Sequence, residues 1–181
     1  MRGAPLIVML VWLDCETTGL GDECKLLEVG LIVTDDDLQE QTRLSVALTI
    51  PPGPMAEWSW KVHNANGLLD ACRARGVPPH VAEAQILGFL KCAMDNNSSA
   101  ECKLTAAGSS VWGDLILLKR WMPVLHVLFG HRVVDVTTLL LLCQRWSGPQ
   151  PPKPRRSHRA LDDCDDSIAL LRFYRLEWLD T

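Results

Sequence analysis

The 181-residue sequence predicts an α/β layered fold, a mixed sheet of three antiparallel strands plus two further strands flanked by helices. Three observations carry this. Three apolar, β-branched segments follow one another near the N-terminus with only short turns between them, as in an antiparallel meander. Helix-period segments then alternate with two more short strand-like runs. Hydrophobic residues make up 48% and charged residues 22% of the chain, a balance that sustains a core and excludes extensive disorder. With no internal repeat and no second core pattern, one domain over residues 1–181 is expected.

The first strand is expected at residues 5–13, a buried apolar run that ends in Asp14. Arg2 followed by "LIVMLVWL" has the outline of a signal peptide, but the run is too short to span a bilayer and has no A-x-A site. No membrane contact is therefore expected. "TGLGDE" reads as a turn, residues 26–35 as the second strand with "DDD" at its bend, and residues 42–50 as the third, closed by "PPGPM". Residues 56–75 suit one or two short helices, "VPPH" breaks them, and residues 81–94 form an amphipathic helix. "DNNSSAECK" reads as a polar loop and "LTAAGSS" as a short strand entering a turn. A helix should start at about Asp114 and stop at Pro123. "HRVVDV" reads as a strand, "TTLLLLCQRW" as a helix, "SGPQPPKPRR" as a proline-rich basic loop, and "HRALDDCDDSIALLRFYRLEWL" as the last helix.

The net charge of −4 argues against a grip on long nucleic acid through phosphates alone. Any polyanion handled here should be short or neutralised by cations. Seven cysteines without a C-x-x-C pair give no zinc signature and no paired framework. They read as reduced thiols of an intracellular compartment, the cytoplasm in the simplest case, with mitochondrion and nucleus left open.

Asp14 and Glu16 stand two apart at the end of a strand, so both point to one face. Two anions so close repel unless a cation lies between them, and all-oxygen ligands suit a hard ion, Mg²⁺ or Mn²⁺. The plainer reading is a strand that has ended with both acids in water. Asp114 alone reads as a first-turn acid, favoured by the helix dipole. The acids of "HRALDDCDD" alone read as a solvated face. If His158 were helical, Asp162 would share its face better than Asp163. If it lies in a loop capped by Ser157, periodicity chooses neither.

Taken in order, D-x-E on a first strand, an Asp opening a middle helix and H-x-x-x-x-D opening a last helix resemble the DEDDh exonucleases. That 3′→5′ nuclease superfamily has an RNase H-like fold and two metal ions. The matching positions are Asp14, Glu16, Asp114, His158 and Asp163; the family pattern, not helical period, selects Asp163 over Asp162. Within the superfamily, "EWSWKVHNANGL", "GSSVWGDLILLKRWMP", "HRVVDVTTL" and "HRALDDCDDSIALLRFYR" resemble segments of the oligoribonucleases. The likeness runs from about residue 9 to 178 and is weakest across 70–103 and 147–156.

The resemblance implies that Asp14, Glu16, Asp114 and Asp163 hold two Mg²⁺ or Mn²⁺ ions, and that His158 is the general base for water attack on the last phosphodiester. It implies that Leu20 wedges between two bases and that Trp58 and His63 lie around the substrate. From the residues alone, Trp58 is a stacking platform or, as for most of seven tryptophans, simple packing. Ser110, Arg132 and Thr137 match the family's cap on the 5′ phosphate, which limits the substrate to dinucleotides and other very short single-stranded RNAs. His131 stands where the family has Tyr, and Thr17 where bacterial members have Met, so strict dinucleotide preference is less firmly implied. The resemblance also implies a homodimer. Two other readings stay open: a DEDDh exonuclease on longer RNA or single-stranded DNA, and a binding module with a dead site. "PPKPRR" is read as a mobile active-site loop ahead of a partner-docking segment.

Overall fold

The computed structural model describes residues 9–21, 23–95, 104–146, 148–155 and 157–179. Residues 5–8 of the expected first strand, Asp22, most of the "DNNSSAECK" loop and residues 147 and 156 of the proline-rich loop lie outside them.

Strands β1 (Leu10–Thr17), β2 (Leu26–Thr34) and β3 (Glu40–Ala47) form the expected antiparallel meander. β4 (Leu104–Gly108) joins the other side of β1 in parallel, and β5 (Phe129–Asp135) continues in parallel, giving the order β3-β2-β1-β4-β5. β1 and β4 therefore end at the same edge, where α/β sheets present their ligand sites.

Alternation along β1 sorts its side chains. Val11 and Leu13 pack into the core cluster under α3 (Pro79–Asp95) and α4 (Val111–Trp121), with Ile86, Leu90, Val111 and Leu118. Leu10 and Trp12 face the opposite layer, beside Cys164 and Ile168 of α7 (Ala160–Tyr174). Asp14 and Glu16 continue this second face, so the sequence pattern itself aims both acids at the start of α7. Gly30, paired with Asp14 across the β1–β2 ladder, makes that approach close: a Cβ there would sit 2.7 Å from the Cβ of Ala160.

α1 (Glu57–Ala65) and α2 (Leu68–Arg75) fulfil the two-helix expectation; α2 covers the outer end of β2 through Leu68, Leu69 and Cys72 against Leu27. α6 (Val136–Arg145) follows β5 directly, capped by the Asp135 carboxylate on the Thr137 amide. Among the described residues no helix is long and apolar enough to cross a membrane.

Several boundaries differ from expectation for physical reasons. β1 does not end at Leu13 but runs on to Thr17, because Asp14, Cys15 and Glu16 keep pairing with Gly30, Val29 and Glu28. The third strand ends at Ala47; Leu48 instead bridges Val77 beyond α2. α4 begins at Val111 rather than Asp114, since Ser110 already turns the chain in a left-handed conformation at φ 54°. Pro123 opens a further short helix, α5 (Pro123–His126), after stopping α4. The last helix starts at Ala160, with Arg159 rather than Ser157 as its extended flanking residue, and it finishes in a π-helical turn, Arg175–Leu179.

Candidate active site

At the carboxyl end of β1 the acids meet. One oxygen each of Glu16 and Asp163 and a ring nitrogen of His158 all lie within 4.8 Å of one another. Asp114 comes from the first turn of α4, where its Oδ1 accepts the Cys15 amide hydrogen at 2.9 Å. That bond ties the helix start to the strand between Asp14 and Glu16, and Asp14 and Asp114 line one cavity of about 460 Å³.

Crowding of like charges governs the protons here. Burial, then the charges of Asp114, Glu16 and Asp163, holds the Asp14 carboxyl well above the usual carboxylate range. Burial, then Asp163, Glu28 and Asp114, pushes Glu16 up to about 8, while Arg159 pulls the other way. Burial raises Asp114 to about 7 although the Cys15 hydrogen bond opposes it. Burial also raises Asp163, against the pull of His158. Among the described residues no lysine or arginine forms an ion pair with the first three, so an all-oxygen set repels itself and fits a hard divalent cation by charge and donor type.

The segment carrying His158 is held from both sides. Asn66, at the end of α1, donates from Nδ2 to the carbonyls of Ser157 at 3.0 Å and His158 at 2.6 Å. Glu28, 1% exposed, accepts from Arg159 Nη2 at 2.8 Å, Arg159 Nε at 3.1 Å and the Ala160 amide at 3.1 Å. Burial alone would raise the Glu28 carboxyl, but these bonds and that from Ser45 lower it below its ordinary value. Between the two anchors His158 takes a left-handed backbone, φ 51°, outside the helix. The two aspartates that follow it are placed differently. Asp163 joins Glu16 and His158, whereas Asp162 lies 3.6 Å from Arg155 of the proline-rich loop. Arg155 also contacts Asp166 at 2.8 Å and Asp165 at 3.5 Å, so the acidic outer face of α7 holds the basic loop.

Trp58 is 48% exposed and meets the His158 ring edge-on at a centroid distance of 5.6 Å. His63 is fully buried: its Nε2 donates to the Thr17 carbonyl at 3.2 Å, 3.6 Å from Glu16, and burial lowers its pKa. Ser59 donates to the same carbonyl at 2.6 Å, so α1 is docked on the end of β1. Leu20, 91% exposed, projects from the turn after β1. Ser110 and Thr137 bring their hydroxyls to 3.3 Å because Asp135 accepts both their amides, at 2.9 and 3.0 Å. Arg132 lies exposed on edge strand β5, and no described hydrogen bond joins it to Ser110 or Thr137. Glu28, Asn66 and Asp135 were not singled out from sequence. Only pairing register could have found Glu28, which stands directly opposite Glu16.

The RNase T family model, described as an exonuclease, matches residues 11–171. An oligoribonuclease of Francisella tularensis subsp. holarctica is 37% identical over 175 residues, covering 94% of this chain and 96% of its own. An oligoribonuclease of Halorhodospira halophila is 37% identical over 186 residues, covering 94% of each. A zinc-bound complex of E. coli exonuclease I with single-stranded DNA superposes with a TM-score of 0.76 at 12% identity, over 95% of this chain and 41% of that one. Exonuclease I of Methylocaldum szegediense gives 0.73 at 16% identity over the same shares. This chain thus spans about two fifths of those longer ones, and the likeness to them is one of fold.

Proposed function

Because the chain belongs to the oligoribonuclease family of the DEDDh exonuclease superfamily, we propose that it is a metal-dependent 3′→5′ exoribonuclease acting on very short RNAs. Dinucleotides and other oligoribonucleotides would be hydrolysed to 5′-mononucleotides by the whole chain acting as one exonuclease domain. The observation that carries this reading is the nearness of Glu16, Asp163 and His158 beside the buried Asp14–Asp114 pair.

Asp14, Glu16, Asp114 and Asp163 would hold two Mg²⁺ or Mn²⁺ ions. Such ions supply a water nucleophile at neutral pH and offset charge on the departing oxygen. His158 faces the same space and would take the proton of the attacking water at a ring nitrogen, as an imidazole can near neutral pH. Asn66 and the Glu28–Arg159 pair keep that ring in reach. Trp58 would stack on the 3′ base beside His158, with Leu20 as the wedge next to it. His63 would act from beneath, fixing the end of β1. Ser110, Thr137 and Arg132 would receive the 5′ phosphate, the guanidinium bidentately. A homodimer, short single-stranded RNA as the partner molecule and a reducing intracellular compartment complete the reading.

The experiment is release of 5′-mononucleotides from a short RNA in Mg²⁺ or Mn²⁺. Native protein should release them and an Asp163→Ala variant should not. Absence of release from every short RNA would leave only a binding role.

A further inference from the structure

We propose that Arg155 is a positioning residue for the His158 imidazole: it clamps the end of the proline-rich strap onto the outer face of α7 and so fixes the short stretch of chain from which that ring reaches the carboxylates. This rests on the reading of His158 as the general base, and it gives a task to the basic loop and to three aspartates that reading leaves unused. Asp162, Asp165 and Asp166 follow at i, i+3 and i+4 and share one face of α7, whereas Asp163 meets Glu16 and His158. Three like charges on one helix face repel, and Arg155 stands among all of them.

The clamp holds more than charge. The Asp166 carboxylate accepts the Arg155 amide hydrogen at 2.7 Å through Oδ2 and the Nε hydrogen at 2.8 Å through Oδ1, so one acid grips both the backbone and the side chain. Nη2 donates to the Asp162 carbonyl at 3.0 Å, an acceptor that any substitution at Asp162 keeps, and stands 3.5 Å from Asp165. Asp165 is itself held from β3, by Arg43 at 3.1 and 3.2 Å. A line of charges thus runs from the edge strand across α7 to the strap. Residues 148–155 contain four prolines, which carry no amide hydrogen and stiffen the chain. At one end of this strap the Cys143 thiol donates to the Pro149 carbonyl at 3.2 Å, and Arg155 closes the other end. Between them Pro151, Pro152 and Lys153 span a cavity of about 240 Å³ over Leu140 and Leu170.

His158 lies three residues beyond Arg155 and two before Ala160, whose amide is bound to Glu28. The stretch between these anchors is tied to α7 at one end and to β2 at the other. Within it His158 takes φ 51°, a backbone conformation that is costly for a residue with a side chain and persists only where the surroundings impose it. Asn66 imposes part of it through the Ser157 and His158 carbonyls, and the Arg155 clamp imposes the rest. Without the clamp the stretch relaxes and the imidazole leaves its edge-on place 5.6 Å from Trp58. The Arg155 side chain is 52% exposed and that of Asp166 18%, so salt can screen the contact.

The test uses the full chain with Arg155→Met, which keeps the apolar stem, and Asp166→Asn, which keeps the shape of the acceptor. In each, kcat for a dinucleotide in Mg²⁺ should fall about tenfold, the lower end for a charge-assisted hydrogen bond at a half-exposed site, with KM little changed. The double variant should be no worse than either single one, because both remove the same contact. Arg155→Lys should recover part of the loss. Raising salt from about 0.05 to 1 M should lower the native kcat toward that of Arg155→Met and leave the variant's kcat level. The ring-proton resonances of His158, identified by their loss in His158→Ala, read the same contact without turnover. Arg155→Met should move them from their Trp58-shifted positions toward those of free imidazole. Unchanged resonances, a loss confined to KM, or additive losses in the double variant would overturn the assignment. A lower Tm with native kcat would also overturn it and leave Arg155 as an ion pair of the fold alone. If native protein cleaves no dinucleotide, the nuclease reading fails, while the resonances still decide the positioning.

Discussion

Glu16 and Glu28 stand directly opposite each other in the β1–β2 ladder, yet their protons are governed in opposite directions. Arg159, Ser45 and the Ala160 amide keep Glu28 ionised below its ordinary range, whereas burial and the neighbouring acids push Glu16 up to about 8. The sheet thus carries a structural carboxylate and a charge-starved one side by side. The first anchors the His158 segment, and the second faces Asp163 and His158.

This asymmetry predicts a pH signature in metal-free protein. Glu16 has a folded pKa above its unfolded value of about 4.5, so the folded state binds more protons between about pH 4.5 and 8. Its contribution to stability is full below that window and is lost as pH rises through it. Glu16→Gln should therefore melt higher than native protein at pH 8 in EDTA, and the difference should shrink toward pH 5. Mn²⁺ should raise the native Tm more at pH 8 than at pH 5. A difference that is flat across this range would show that Glu16 is ionised without cost.

The two adjacent aspartates of α7 separate cleanly. Asp163 faces Glu16 and His158, and Asp162 faces Arg155. Asp163→Ala should abolish both turnover and the Tm rise with Mn²⁺. Asp162→Ala should keep both, because it removes only an exposed ion pair worth about 0–1 kcal/mol. Melting curves with and without Mn²⁺ check the assignment, and the reverse pattern would shift the register by one.

His158→Ala should keep the Mn²⁺ effect on Tm and lose about 10²–10⁴-fold in kcat, the usual weight of a general base. Asn66→Ala removes two hydrogen bonds from the backbone on which that imidazole rides. At about 1 kcal/mol each, kcat should fall roughly thirtyfold while KM for a dinucleotide changes little. A change in KM alone would assign Asn66 to substrate binding instead.

Gly30→Ala should damage the site without touching a charged residue. The new methyl would meet Ala160 at 2.7 Å and its backbone at 2.8 Å, and α7 cannot yield without carrying Asp163 away from Glu16. Overpacking of this kind costs about 1–3 kcal/mol. Denaturant unfolding together with the Mn²⁺ shift of Tm checks it, with both reduced.

Much of this was legible in the sequence because the signals are local. The period-two pattern of β1 aimed Asp14 and Glu16 at one face, and the largely apolar run of residues 26–35 marked the second strand. Helical period could not choose between Asp162 and Asp163, because the choice depends on where the helix begins. That is fixed by Asn66 and Glu28, which lie 92 and 131 residues from their partners. The start of α4 was misjudged for a related reason. Ser110 is held in its left-handed turn by Asp135, a contact 25 residues away that no local propensity encodes.

A substrate-length series in Mg²⁺ shows whether this carboxylate site works on the end of a very short RNA. kcat/KM should be highest for a 5′-phosphorylated dinucleotide and fall steeply toward a twenty-mer. Rates that stay level or climb with length would contradict it and mark the chain as an exonuclease of long strands.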